Sequence, residues 1–119
     1  MNLIVAGGRD FTDIDRMDLE LKTLTKSGFI HPDAKLICGM ARGTDLTAHF
    51  LWKNVYQNPI EEMPADWDTH GKSAGYIRNY DMGKIADKAV CFWDGKSKGT
   101  ANMISVMEKL KKPVMVIKY

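Results

Sequence analysis

Cysteine is scarce in this chain: Cys38 and Cys91 both sit inside apolar runs, and neither belongs to a CxxC pair. A disulfide framework or thiolate metal site is therefore excluded as the basis of the fold, and two buried, reduced thiols are expected. Long hydrophobic runs are missing as well. No stretch reaches membrane-spanning length, and Met1-Asn2 leads straight into "LIVAGG" with no basic leader, so a cytoplasmic location is expected. Charge of one sign is also lacking, with 17 Lys and Arg against 15 Asp and Glu for a formal net charge of +2. That balance is far from the basic bias of proteins that live on duplex DNA or anionic lipid. Small anions stay open as ligands, and nucleic acid is not expected as a partner. Repeats, low-complexity tracts and linkers are absent, and 119 residues are expected to form one domain spanning 1–119.

What is present is an alternation of short apolar runs with longer amphipathic segments, the pattern of βα units in a parallel sheet. The runs predict strands at Leu3–Ala6, Leu36–Cys38, Ile60–Met63, Ala89–Trp93 and Val114–Ile117. Glu61 and Glu62 put the third at an edge. Helices are predicted over Asp13–Ser27, Asp45–Tyr56 with Thr44 as N-cap, Ser73–Ile85, and from Thr100 to the basic "KLKK". Right-handed crossovers then build a Rossmann-like α/β three-layer sandwich with strand order 3-2-1-4-5. The order reverses beside strand one, and ligands bind in such sheets outside the carboxyl ends of the strands at that point.

Three loops at this edge are rich in glycine. "GGRDF" follows strand one, "CGMARGTD" strand two and "WDGKSKGT" strand four. Glycine lets backbone amides approach a ligand, and amides at a helix N-terminus favour an anion. Together the loops point to a phosphate-bearing ligand, although any one of them alone reads as a tight turn. The pattern fits neither GxxxxGK[ST] nor GxGxxG, so a P-loop NTPase and an ordinary dehydrogenase are set aside.

Individual residues carry this reading. In the first loop, Gly7, Gly8 and Asp10 accompany Arg9, whose guanidinium either clamps a phosphate or pairs with Asp10 or Asp45. In the second, Gly39, Met40, Gly43 and Thr44 surround Arg42, which carries the same two readings, while Asp45 is expected to stabilise its helix N-terminus. The polar segment "ADWDTHGKSAGYIRN" contributes Asp66, Trp67 for stacking, Lys72, Arg78 and Asn79. The last loop adds Trp93, Asp94, Ser97, Gly99 and Thr100. Asp66, Asp68 and His70 alternate, yet nothing completes a coordination shell, so neither metal nor cofactor is expected. His49 is expected to be structural, and Met17, Met82, Met103 and Met107 to fill the core.

The motifs "VAGGRDF", "CGMARGTD", "ADWDTHGKSAGYIRN" and "FWDGKSKGT" together resemble the YspA-like branch of the SLOG superfamily, whose larger relatives are the LOG and DprA/Smf proteins. The resemblance implies a Rossmann-like fold that binds nucleotides or nucleotide-derived ligands. "GMARGTDLTAH" is also similar to a stretch of DprA. LOG enzymes cut the N-glycosidic bond of a nucleoside monophosphate, and their motif PGGxGTxxE maps onto Gly95 through Met103, so Met103 stands where the glutamate belongs. The expected function is binding of a nucleotide or nucleotide-derived signal, as a sensor or as a sequestering sponge in conflicts between viruses and bacteria. The alternative is a nucleoside-monophosphate N-glycosidase using Asp94 or another loop carboxylate. A third reading is DprA-like single-stranded DNA binding. Self-association is expected from the apolar stretch "NMISVMEKL", which offers surface beyond what one sheet face covers.

Overall fold

The computed structural model describes residues 1–119. Strands β1 (Asn2–Gly7), β2 (Lys35–Cys38), β3 (Ile60–Glu62), β4 (Lys88–Trp93) and β5 (Val114–Lys118) form one parallel sheet in the order β3-β2-β1-β4-β5. The expected order and the edge position of the third strand are both found. Leu3 faces Leu36 across β1 and β2, and Val5 faces Val90 across β1 and β4.

Because strand side chains alternate between faces, a single run of apolar residues builds two cores. Leu3, Val5, Leu36, Cys38, Val90 and Phe92 point to one face, where helix α1 (Ile14–Lys26) adds Met17 and Leu21. Ala48 of α2 (Thr44–Phe50) and Leu51 and Trp52 of its continuation close that layer. Ile4, Ile37, Ala89 and Cys91 point to the other face. There α4 (Ala74–Ile85) contributes Met82, and α5 (Lys98–Lys109) contributes Met103, Val106 and Met107. A short helix, α3 (Trp67–His70), and a turn of 3-10 helix lead into α4. No helix is long and apolar enough to cross a membrane.

Several local expectations change. The apolar stretch on α5 is covered, since Met103, Val106 and Met107 are all buried between α4 and the sheet. Ile104 and Leu110 stay partly exposed against the same core, so less of the stretch is free for a partner than its apolar sequence implies. Thr44 is not an N-cap: Gly43 holds that position at φ 82°, and the Thr44 hydroxyl instead donates to the carbonyl of Gly8 at 2.9 Å. A side chain at 43 would press within 2.4 to 2.6 Å of the Arg9 backbone, so only glycine lets the first two loops meet. Helix α5 starts at Lys98 rather than Thr100, with Ser97 as its N-cap. Helix α2 widens into π-type turns over Leu51–Tyr56. Trp52 and Tyr56 both turn inward there: the indole donates to Ala34 O at 2.9 Å and the phenol to Asp18 at 2.6 Å.

Candidate functional site

At the carboxyl edge, where the strand order reverses between β1 and β4, the loops leave an open crevice of about 470 Å³. One end is the start of α5. Asp94 Oδ1 accepts the amides of Lys96 and Ser97, each at 2.8 Å, and bends the chain after β4 into a tight turn. Those two bonds hold the Asp94 carboxyl below its ordinary range. Ser97 Oγ then accepts the Thr100 amide at 3.4 Å and lies 3.1 Å from the Thr100 hydroxyl. The amides of Lys98 and Gly99 fall in the first helical turn, where no intrahelical carbonyl can reach them. Gly99 lines the crevice, and a side chain there would meet no protein atom, so the space before it is open.

A polar bridge spans the crevice. Arg78 Nη1 donates to Gly39 O at 2.5 Å, and its Nε donates to Asn79 Oδ1 at 3.1 Å. Asn79 Nδ2 in turn donates to Gly99 O at 3.3 Å and to Asn102 Oδ1 at 2.9 Å. Through these bonds α4 ties the loop after β2 to the start of α5. Asp45 lies on the inner wall, 5% exposed, with Oδ2 accepting the Ala41 amide at 3.2 Å. Burial pushes its carboxyl up to about 6, opposed by that amide and by the nearby Arg78 and Arg9. Arg9 itself lines the crevice and pairs with no carboxylate, so the alternative of an ion pair to Asp10 or Asp45 does not hold. Asp10 is held from outside by the Tyr119 hydroxyl at 2.5 Å, and the Tyr119 ring packs on Phe11, which stacks on Phe92.

Of the residues expected from the sequence, Gly7, Gly8, Arg9, Asp10, Trp67 and Lys72 line this crevice from the first loop and the α3 segment. Arg78, Asn79, Asp94, Ser97, Gly99 and Thr100 line it from α4 and the loop after β4. The loop after β2 contributes differently. Gly43 and Thr44 are buried beneath the first loop, Met40 packs on the core at φ 61°, and Arg42 points to solvent. Gly39 touches the site only through its carbonyl to Arg78. Asp66 caps α3 by accepting the Thr69 amide at 3.1 Å and borders a separate recess with His70 and Asp81. Trp93 braces the last loop: its indole donates to Ser97 O at 3.1 Å, and the Lys118 ammonium lies 5.0 Å over its ring.

Tyr76 and the inner-wall position of Asp45 were missed, and Met82 and Met103, buried in the core as expected, also border the crevice. A signal existed for Tyr76 and Met82. Lys72, Tyr76, Asn79 and Met82 recur at helical spacing, so one of these residues facing the crevice implies the others. Met103 puts a buried thioether on the crevice wall.

No family model matches the chain. A solved structure of DNA processing protein A from Helicobacter pylori, described for its single-stranded DNA binding mode, superposes with a TM-score of 0.64. It is 20% identical, and the match covers 98% of this chain and 64% of that one. This likeness establishes the Rossmann-like fold, and this chain spans less than two thirds of that protein. It also corrects the expectation that nucleic acid is not a partner, because the same architecture elsewhere carries a mode of binding single strands. The physical reason is that net charge is a whole-chain sum. Arg9, Lys72 and Arg78 gather at one crevice, and it is the local field and exposed rings that a single strand meets. In sequence, the chain is 34% identical to the gene 61 protein of Mycobacterium phage D29 over an 86-residue alignment that covers 67% of this chain and 68% of that protein. The chain belongs to the family of that phage gene 61 protein.

Proposed function

We propose that the crevice is a binding site for a nucleotide or nucleotide-derived ligand in a SLOG-like domain of the YspA-like branch, one that holds its ligand instead of converting it. The observation that carries this reading is the meeting, in about 470 Å³, of the open first turn of α5, the unpaired Arg9 and the exposed rings of Trp67 and Tyr76. A volume of that size suits a mononucleotide. The phosphate rests on the Lys98 and Gly99 amides, where the helix dipole and free N–H groups favour an anion. Arg9 closes over it. Trp67 and Tyr76 flank the base. Oδ1 of Asp94 accepts two loop amides, which gives this carboxylate a structural part in shaping the turn.

Binding of single-stranded DNA is the second reading, supported by the shared fold of a single-strand-binding protein and by the aromatic and cationic lining. Titration calorimetry with AMP, adenosine and inorganic phosphate tests the common core of both readings. AMP is expected to bind one per chain and more tightly than either fragment. Arg9→Ala is expected to weaken AMP at least tenfold with the fold retained and only a small loss of stability at neutral pH, since charge-assisted hydrogen bonds contribute about 1.5 to 3 kcal/mol and Arg9 is one of two cations near Asp45. Absence of heat with every nucleoside phosphate would contradict the proposal, and release of adenine from AMP would replace it with the glycosidase.

A further inference from the structure

Helix α4 carries a feature that the crevice alone does not use. Lys72, Tyr76, Tyr80 and Lys84 follow one another at steps of four residues, the first in the turn just before the helix and the rest along it. Residues four apart share a helix face, so the stripe reads cation, ring, ring, cation. Tyr76 and Tyr80 are 49% and 50% exposed, and Trp67, at 52%, lies beside the start of the stripe. The Trp67 ring sits over the first turn of α4, since a side chain at Gly75 would lie 3.6 Å from its Cη2. Lys72, Tyr76 and Trp67 line the crevice, whereas Tyr80 and Lys84 lie beyond it. The Lys84 ammonium stands 5.0 Å over the Tyr80 ring and 3.3 Å from Asp81. A helix so exposed in aromatic surface normally buries it against something.

We propose that this stripe is a track for a single-stranded nucleic acid, one nucleotide of which occupies the crevice while its neighbours run outward over Tyr76 and Tyr80. The proposal rests on the crevice being a nucleotide site. Three observations select this occupant. The stripe is continuous with the crevice through Lys72 and Tyr76, which line both. Its rings are bracketed by lysines, which suits a phosphate backbone with bases on the rings better than it suits an apolar peptide. Finally, residues four apart on a helix are about 6 Å apart along the axis. That is nearly twice the ~3.4 Å that one strand advances per nucleotide in a duplex. Successive bases therefore reach both rings only from an unstacked strand, and a duplex, with its bases inside, cannot reach them at all.

The test compares a fluorescein-labelled 12-nucleotide single-stranded DNA with AMP on wild type, Tyr80→Ser and Tyr80→Trp. Tyr80 lies outside the crevice and is half exposed, so AMP affinity is expected to stay within twofold for both variants. The oligonucleotide is expected to bind wild type more tightly than AMP, to weaken about 5- to 150-fold in Tyr80→Ser, as the loss of one stacked base implies, and to recover in Tyr80→Trp. Lys84→Ala is expected to lower the slope of log affinity against log salt by about 1. Equal oligonucleotide affinity in wild type and Tyr80→Ser, with AMP still bound, would overturn the track and leave the crevice reading intact. Failure of wild type to bind AMP and the oligonucleotide would remove both. Light scattering that finds Tyr80→Ser breaking up a self-assembled wild type would also overturn the track, because a second copy would then be its occupant.

Discussion

The two walls of the crevice are built from similar sequence and do opposite things. On the β1 and β2 side, glycine serves the protein: Gly43 lets its loop press on the Arg9 backbone, and Thr44 ties that contact to Gly8 O at 2.9 Å. On the α4 and α5 side, glycine leaves room. Gly99 faces no protein atom within 4 Å, and Trp67 and Tyr76 stand half exposed around the same opening. A glycine loop thus marks either a close approach of chain to chain or an opening left between elements. Only the surroundings distinguish the two.

The comparison can be broken most sharply at Gly43. Gly43→Ala imposes a left-handed φ on a residue with a side chain and drives that side chain into the Arg9 backbone. A loss of about 3 kcal/mol or more is expected in urea unfolding, as strain of this kind costs about 1 to 3 kcal/mol before any overlap is counted. A loss below about 0.5 kcal/mol would mean that the first two loops are not pressed together.

Asp45 sharpens the contrast, because it is buried on the tight wall yet borders the opening. Its folded-state pKa of about 6 lies above the ordinary 3.8. Keeping it ionised therefore opposes folding at neutral pH. The penalty is absent well below the unfolded value near 4, grows as pH rises from there to about 6, and is constant above it. Asp45→Asn keeps the oxygen that accepts the Ala41 amide and removes the charge. It is expected to stabilise by roughly 2 to 3 kcal/mol at pH 7.5 and by nothing measurable near pH 4, read from denaturant midpoints at the two pH values. A gain that is equal at both would show that burial of the charge is not the cause.

The smallest effect is expected at the outer brace. Tyr119→Phe removes the 2.5 Å bond to Asp10 while keeping the ring on Phe11. A loss of about 1 kcal/mol is expected, with AMP weakened no more than a few fold. An unchanged midpoint would show that the C-terminal strand does not hold the first loop.

How much of this was readable from the sequence depends on the range of the interactions involved. The strands and their order follow from local runs such as Leu3–Ala6 and Ala89–Trp93, and from handedness rules that apply to any such chain. The placement of the crevice follows from the order. Arg9, Lys72 and Ser97 were legible because their loops have to end at that edge. Gly43 and Thr44 were misread because their partner, the Arg9 loop, is more than thirty residues away, and no local pattern records that contact. Tyr76 was passed over although its spacing from Lys72 and Asn79 placed it on the same face. The stretch on α5 looked like an interface because a sequence shows an apolar stripe without showing that α4 covers it.

The central claim is that the opening at Gly99 is kept for a phosphate. Calorimetric titration of AMP into wild type and Gly99→Ala, alongside urea unfolding of both, tests it most directly. The added methyl group meets no protein atom, and alanine suits a helical position better than glycine by roughly 0.5 to 1 kcal/mol. The account predicts a variant at least as stable as wild type that binds AMP ten or more times more weakly. A stable Gly99→Ala protein with unchanged AMP affinity would contradict it.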